Sequence, residues 1–163
     1  LFSVYFLTYT IITSFADVIG QKLVIKYPDD DSVLVTEYFT IMSFCYQIGI
    51  FISRSSLRFI TIPGNKIWIL SFLQLANFVF MFVNAKYMYW ESLYVTCPVL
   101  IWVGIMGGGS YVNVLHCILD LKTLDKTEKE MAISLSLLFN DTGIFLAAVL
   151  SLVLDSTYLK VKI

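Results

Sequence analysis

Five apolar runs dominate this chain, near 1–24, 35–52, 67–83, 93–116 and 131–154. Each is about the 20 residues that a helix needs to cross a hydrocarbon layer of about 30 Å. The short segments between them, 26–31, 54–66, 84–91 and 120–130, hold nearly all the charge and leave no room for a water-soluble domain. A bilayer core offers no water to backbone N–H and C=O groups, so only helices and closed barrels span it. The runs lack a period of two and are about twice as long as a tilted barrel strand. The expected fold is therefore an all-α integral membrane protein with five transmembrane helices. Composition agrees, because only 14% of the 163 residues are charged, against roughly 25% in soluble domains. With a net charge of −1, no nucleic-acid partner is expected; the partner is the lipid bilayer.

Local signals refine the picture. Thr127 and Glu130 stand in T-x-x-E spacing before the last run, which predicts a capping box. Pro98 frees a carbonyl one turn earlier and calls for a kink or a packed neighbour. Lys22, near the end of the first run, is expected to snorkel to the headgroups. Cys45, Cys97 and Cys117 lie in or beside apolar runs and read as small buried hydrophobes, neither a disulfide frame nor a metal site. Leu1 opens the chain inside an apolar run, without a leader's basic region, as expected of a piece of a longer protein.

Lysine and arginine in short loops set orientation. Arg54, Arg58 and Lys66 follow the second run, and Lys122, Lys126 and Lys129 follow the fourth, so both loops are expected in the cytosol. Asp29, Asp30 and Asp31 dominate the first loop. Five spans then leave Lys160 and Lys162 on the disfavoured side, to be resolved by a further span or by a tail lying along the interface.

Polar residues recur at helical spacing. Thr10, Ser14, Asp17 and Gln21 share one face of the first run, Thr36, Thr40, Ser43 and Gln47 one face of the second, with Arg54 continuing the line, and Gly109, Asn113, His116 and Asp120 one face of the fourth. A charge in mid-bilayer costs at least about 2.5 kcal/mol, so these stripes face one another or water. For the hydroxyl residues, helix-to-helix contact is sufficient explanation, as it is for Gln74 and Asn77. Asp17, His116 and Asp141 point instead to an ion or solute path. The glycines at 107–109 remove side chains where a neighbouring helix approaches or the helix bends, bringing Asn113 and His116 to a shared interior. Together Asp17, Gln21, Gln47, Tyr111, Asn113, His116 and Asp141 are the candidate solute and proton pathway. An imidazole with its ordinary pKa of about 6.5 suits proton exchange.

Enzymatic readings are weak. The aspartates lie in FAD and FND contexts, without the glycine-x-glycine-aspartate string of intramembrane aspartyl proteases. Ser110 and His116 fall about 240° apart on one helix and cannot form a nucleophile and base pair. GGGS lacks the lysine of a phosphate loop, and a lone histidine makes no metal site, so neither a metal nor a cofactor is expected. NDT at 140–142 lies mid-span, where no glycan can be carried.

Three strings, YQIGIFISRSSLR (46–58), GGGSYVNVLH (107–116) and EKEMAISLSLLFNDTGI (128–144), together resemble the battenin family of lysosomal and vacuolar membrane proteins. Span one matches less well: Thr8, Ile12 and Thr13 depart from the family pattern, while Asp17 matches an acidic position. The resemblance implies a bundle similar to the major facilitator superfamily, of which this chain would be the C-terminal half, its N-terminal half being the missing partner. It further implies a carrier of small solutes, with glycerophosphodiesters and basic amino acids as the classes, contributing to organellar pH balance. In such a bundle the first, second, fourth and fifth helices of each half line the cavity, and the loop with Arg54 and Arg58 packs on the other half. The competing expectation is a trafficking or scaffold protein that binds partners through SRSSLR and DLKTLDKTEKE.

Overall fold

The computed structural model describes residues 1–28, 32–56, 61–157 and 159; Arg58, Lys160, Lys162 and the first-loop aspartates lie outside them. The described elements are helical, with no strand among them. They are α1 (Phe2–Lys26), α2 (Val33–Thr36), α3 (Tyr38–Ser55), α4 (Trp68–Tyr87), α5 (Leu93–Asp120) and α6 (Lys126–Thr157), with a 3-10 turn at Gly64–Lys66 before α4. Every expected run is a helix. Four of them, α1, Gly64–Tyr87, α5 and α6, are long and apolar enough to cross a membrane. The fifth, α3, has 18 residues, about 27 Å at 1.5 Å per residue. Thr40, Ser43, Gln47 and Arg54 dilute its apolar content, which keeps it out of that set. Phe44, Phe51, Phe72, Leu138, Phe145 and Leu152 are exposed, as befits helices solvated by acyl chains.

α3 packs chiefly on α5, and α1 chiefly on α6, with α4 closing against α1 and α5. The α3–α5 crossing is built on glycine. A Cβ placed on Gly49 would lie 2.1 Å from the Ile101 carbonyl oxygen, and one on Gly104 would lie 2.2 Å from that of Tyr46. Only bare Cα atoms permit such an approach, and dispersion between the backbones replaces a hydrophobic drive that lipid does not supply. The triplet divides its roles. Gly108 meets Ser53 and Ile50, Gly107 faces the Thr8 side chain at 3.6 Å, and Gly109 has nothing within 4 Å among the described residues. Tight approach thus explains Gly108 but not Gly109. α6 meets α1 in the same manner, since a Cβ on Gly143 would lie 2.7 Å from the Phe2 carbonyl oxygen.

Several buried polar groups are paired within and across these helices. Gln74 Nε2 donates to Thr8 Oγ1 at 2.7 Å, Thr8 Oγ1 donates to the Val4 carbonyl at 2.7 Å, and Asn77 Nδ2 donates to Gln74 Oε1 at 3.2 Å. Gln74 thus makes the helix-to-helix contact expected of the pair, while Asn77 supports it from within α4. Tyr38 Oη donates to Thr96 Oγ1 at 3.0 Å, joining α3 to α5. Phe15 stacks between α1 and α4 on Phe78 and Phe82, at 5.0 and 5.6 Å between ring centres. Pro98 lies inside α5, which continues through it as one helix.

Three expectations change. The capping box sits two residues earlier than expected. Glu128 N–H donates to Asp125 Oδ1 at 2.7 Å and Asp125 N–H to Glu128 Oε2 at 2.9 Å, the reciprocal pattern that satisfies two orphan donors. Lys22 does not reach for headgroups; its Nζ donates to the carbonyls of Ala85 at 2.5 Å and Lys86 at 3.4 Å. There the α4 C-terminal dipole attracts a cation. Within α1, Ile11–Ala16 is a π-helix. Its wider turn shifts the register of everything after it, so one continuous 100° wheel fails for this span. Thr10 lies buried, its hydroxyl donating to the Phe6 carbonyl at 2.8 Å, while Thr13 and Ser14 turn to α6.

At the end of the bundle opposite Arg54, Asn84 closes the turn after α4. Its side chain donates to the Trp90 carbonyl at 2.9 Å and accepts from the Trp90 N–H at 2.8 Å, around a left-handed Met88 at φ 55°. Beside it Glu91 pairs with the Lys26 ammonium and accepts from Tyr27 Oη at 3.0 Å. The Lys26 hydrogen bond above all holds the Glu91 carboxyl below the usual carboxylate range.

Candidate functional site

The candidate residues fall into groups at two levels of the bundle. The first is where α1 meets α6, in the π turn and just beyond it. Ser14 Oγ donates to Asp155 Oδ1 at 2.5 Å, and the Thr13 and Ser151 hydroxyls are 2.7 Å apart. Asp17 lies within electrostatic reach of Asp155 and accepts from Gln21 Nε2 at 2.8 Å. Asp17 and Gln21 also border a cavity of about 160 Å³ toward α2 and α3, with Thr36, Tyr38 and Phe39 on its far wall. The π turn makes this group possible, because it carries Ser14 and Asp17 round toward α6.

The second group lies near the other end, on α1, α3 and α5. The Arg54 guanidinium, in the last turn of α3, stands over the Tyr111 ring at 4.7 Å, and its Nη2 donates to Tyr5 Oη at 3.4 Å. Tyr5 stacks on Tyr9 at 6.1 Å and tilts against Tyr111 at 6.3 Å. Cation and rings attract through the ring quadrupole. Tyr46 is 4% exposed, and its buried hydroxyl has no hydrogen-bond partner among the described residues.

Below Arg54, α5 runs on to meet the segment before α4. Asn113 Oδ1 accepts from the Ile62 N–H at 2.6 Å, while its Nδ2 donates to the Gly109 carbonyl at 2.8 Å. His116 Nδ1 stands 3.2 Å from Asp120 Oδ2. Both His116 and Asp120 line a cleft of about 360 Å³ with Thr61, Pro63 and Cys117. Asp141 is exposed on α6 beside Asn140, whose Nδ2 donates to it at 3.2 Å, and Gln47 is exposed on α3.

The structure therefore joins Asp17 to Gln21, Tyr111 to Arg54, and Asn113 and His116 to the 61–64 segment. It does not gather all seven pathway residues around one enclosed hollow among the described residues. Sequence reasoning missed Asp155, Ser151, Tyr5 and Tyr46 as members of these groups. Asp155 was detectable: it follows Ser151 by four residues, on the face that Ala147 and Ser151 bury. No group of three or more His, Cys, Asp or Glu side chains among the described residues could hold a metal ion.

Comparison with known proteins follows the same lines. The family model described as CLN3 protein matches residues 1–161. The chain is 38% identical over 161 residues to a battenin of Dictyostelium discoideum, an alignment covering 98% of this chain and 37% of that protein. It is 34% identical over 157 residues to protein btn1 of Schizosaccharomyces pombe, covering 94% and 37%. Against a battenin of Canis lupus familiaris it is 35% identical over 107 residues, covering 66% and 24%. The chain thus matches between about a quarter and little more than a third of the length of these relatives. No solved structure matches it.

Proposed function

This chain belongs to the CLN3 protein family, and from that premise we propose that it is part of a multi-pass carrier of small solutes in a lysosomal or vacuolar membrane. It supplies the C-terminal half of a major facilitator-like bundle, and the N-terminal half of the same protein completes the enclosure. The solute is a glycerophosphodiester or a basic amino acid, and its movement contributes to organellar pH balance. One observation carries this reading. In helices otherwise coated with apolar side chains, Gln21, Thr36, Thr40, Gln47 and Asp141 are exposed and Asp17 half-buried. Such groups do not face lipid, so they face water or a further part of the protein, which is what the wall of a solute path requires.

In this reading Asp17, Gln21, Gln47, Tyr111 and Asp141 border the path as the halves rock, Arg54 and Arg58 lie on the cytosolic side, and Asn113 and His116 serve the cytosolic mouth. His116 exchanges a proton with Asp120 or with water. The test is uptake of candidate solutes into proteoliposomes holding the full-length protein. Asp17→Asn, Asp141→Asn and His116→Ala are each expected to lower the rate or change its pH response. All three retaining wild-type rate and pH response would end the assignment. No uptake of any solute by intact protein would favour the trafficking or scaffold alternative.

A further inference from the structure

We propose that Tyr5, Tyr9, Tyr46, Arg54 and Tyr111 form a binding subsite for an oxyanion, a phosphate or carboxylate group, at the Arg54 end of the bundle. The charge is uncompensated: among the described residues the ion pairs are Lys26–Glu91, His116–Asp120 and Lys126–Glu130, and no carboxylate pairs with Arg54. A guanidinium has five N–H donors in a fork that matches two oxygens of a phosphate or carboxylate. Here one donor reaches Tyr5 Oη at 3.4 Å, and the face rests on Tyr111. Stacking fixes the plane of the fork and leaves its edge open, because Arg54 is otherwise exposed.

The second, independent observation is Tyr46. A buried hydroxyl without a partner costs roughly 1–3 kcal/mol, and this one lies within electrostatic reach of Tyr5, Tyr9 and Arg54. Gly107 borders it: a Cβ built there would lie 3.6 Å from Thr8 Oγ1 and 4.0 Å from Tyr46 Oη, ordinary contact distances. Phenol hydroxyls donate to an anion at no further charge cost. Every formal charge in the cluster is positive, which selects against a cation. The occupant arrives either as a soluble solute or as the headgroup of an anionic lipid. Only its translocation, not its binding, rests on the carrier reading.

The experiment is calorimetric titration of full-length protein in neutral detergent with inorganic phosphate, glycerol 3-phosphate and glutamate, against glycerol and cadaverine, a diamine without a carboxylate. Saturable binding of at least one anion is expected. Loss of a charge-assisted fork predicts weakening of about tenfold or more in Arg54→Gln, with part restored in Arg54→Lys, and of about threefold or more in Tyr46→Phe. Should Arg54→Gln fail to fold, the other two variants, which keep charge and ring, decide. Repeating the titration in nanodiscs separates the sources: anionic lipid that competes with glycerol 3-phosphate identifies a headgroup site, and no competition a solute site. Wild-type anion affinity in both Arg54→Lys and Tyr46→Phe, or binding of cadaverine in place of anions, would overturn the proposal. Anion binding without uptake would remove the carrier reading and keep the subsite. Uptake with no Arg54-dependent binding would do the reverse.

Discussion

At the scale of single residues, the glycines separate by what they touch. A methyl on Gly104 would press on the Tyr46 carbonyl oxygen, and overpacking of this kind costs about 1–3 kcal/mol. Gly104→Ala is expected to lower the thermal midpoint of detergent-solubilised protein, with Gly49→Ala close to it. Gly109→Ala has open space around its new methyl and gains helix propensity of up to about 1 kcal/mol, so its midpoint should hold or rise. The triplet at 107–109 drew attention in the sequence because it is conspicuous. The lone glycines at 49 and 104 make the closer crossing, and nothing about an isolated glycine reveals which backbone it will meet. Glu91 offers a pH test. Its carboxyl is held below its ordinary value by Lys26, so its contribution is present above the unfolded pKa of about 4.3 and is lost as pH falls through the lower folded value. The midpoint difference between wild type and Glu91→Gln should therefore persist at pH 7 and at pH 5, and vanish in more acidic melts; a constant difference across the range would contradict the pairing.

Among the elements, α6 and α1 carry the sharper lessons. Hydropathy located all five long helices, because a run of some 20 apolar residues leaves the chain few alternatives. The start of α6 was harder: T-x-x-E at 127–130 and D-x-x-E at 125–128 overlap, and the apolar run from Met131 favoured the later one. Glu130 instead pairs loosely with Lys126 at 4.0 Å. Asp125→Ala is expected to cost about 1 kcal/mol as the loss of an N-cap, and Glu130→Ala much less, in paired denaturation curves. The π turn left no mark in the sequence. With it went the chance of placing Ser14 opposite Asp155. A double-mutant cycle of Ser14→Ala and Asp155→Asn should return a coupling of about 1 kcal/mol; additive losses would mean that the two side chains do not depend on each other.

For the molecule as a whole, helical class and membrane residence were legible in the sequence, since both follow from what a bilayer denies to a polypeptide. Which polar faces meet was not. Asp17 and Asp155 come from opposite ends of the chain, and Tyr5, Arg54 and Tyr111 from three helices, so the pairings depend on rotations that periodicity leaves free. The glycine crossing bears on motion. With backbones this close, α3 and α5 cannot slide past each other without collision, so the two rods behave as a single girder. α1 and α6 form a second one around Gly143. Within this chain, shape change then falls to the joint between the girders, which α4 and the contacts of Tyr5 with Arg54 and Tyr111 bridge. In the proposed carrier, a cross-link from α3 to α5 should leave uptake untouched, whereas one stitched across that joint should slow it.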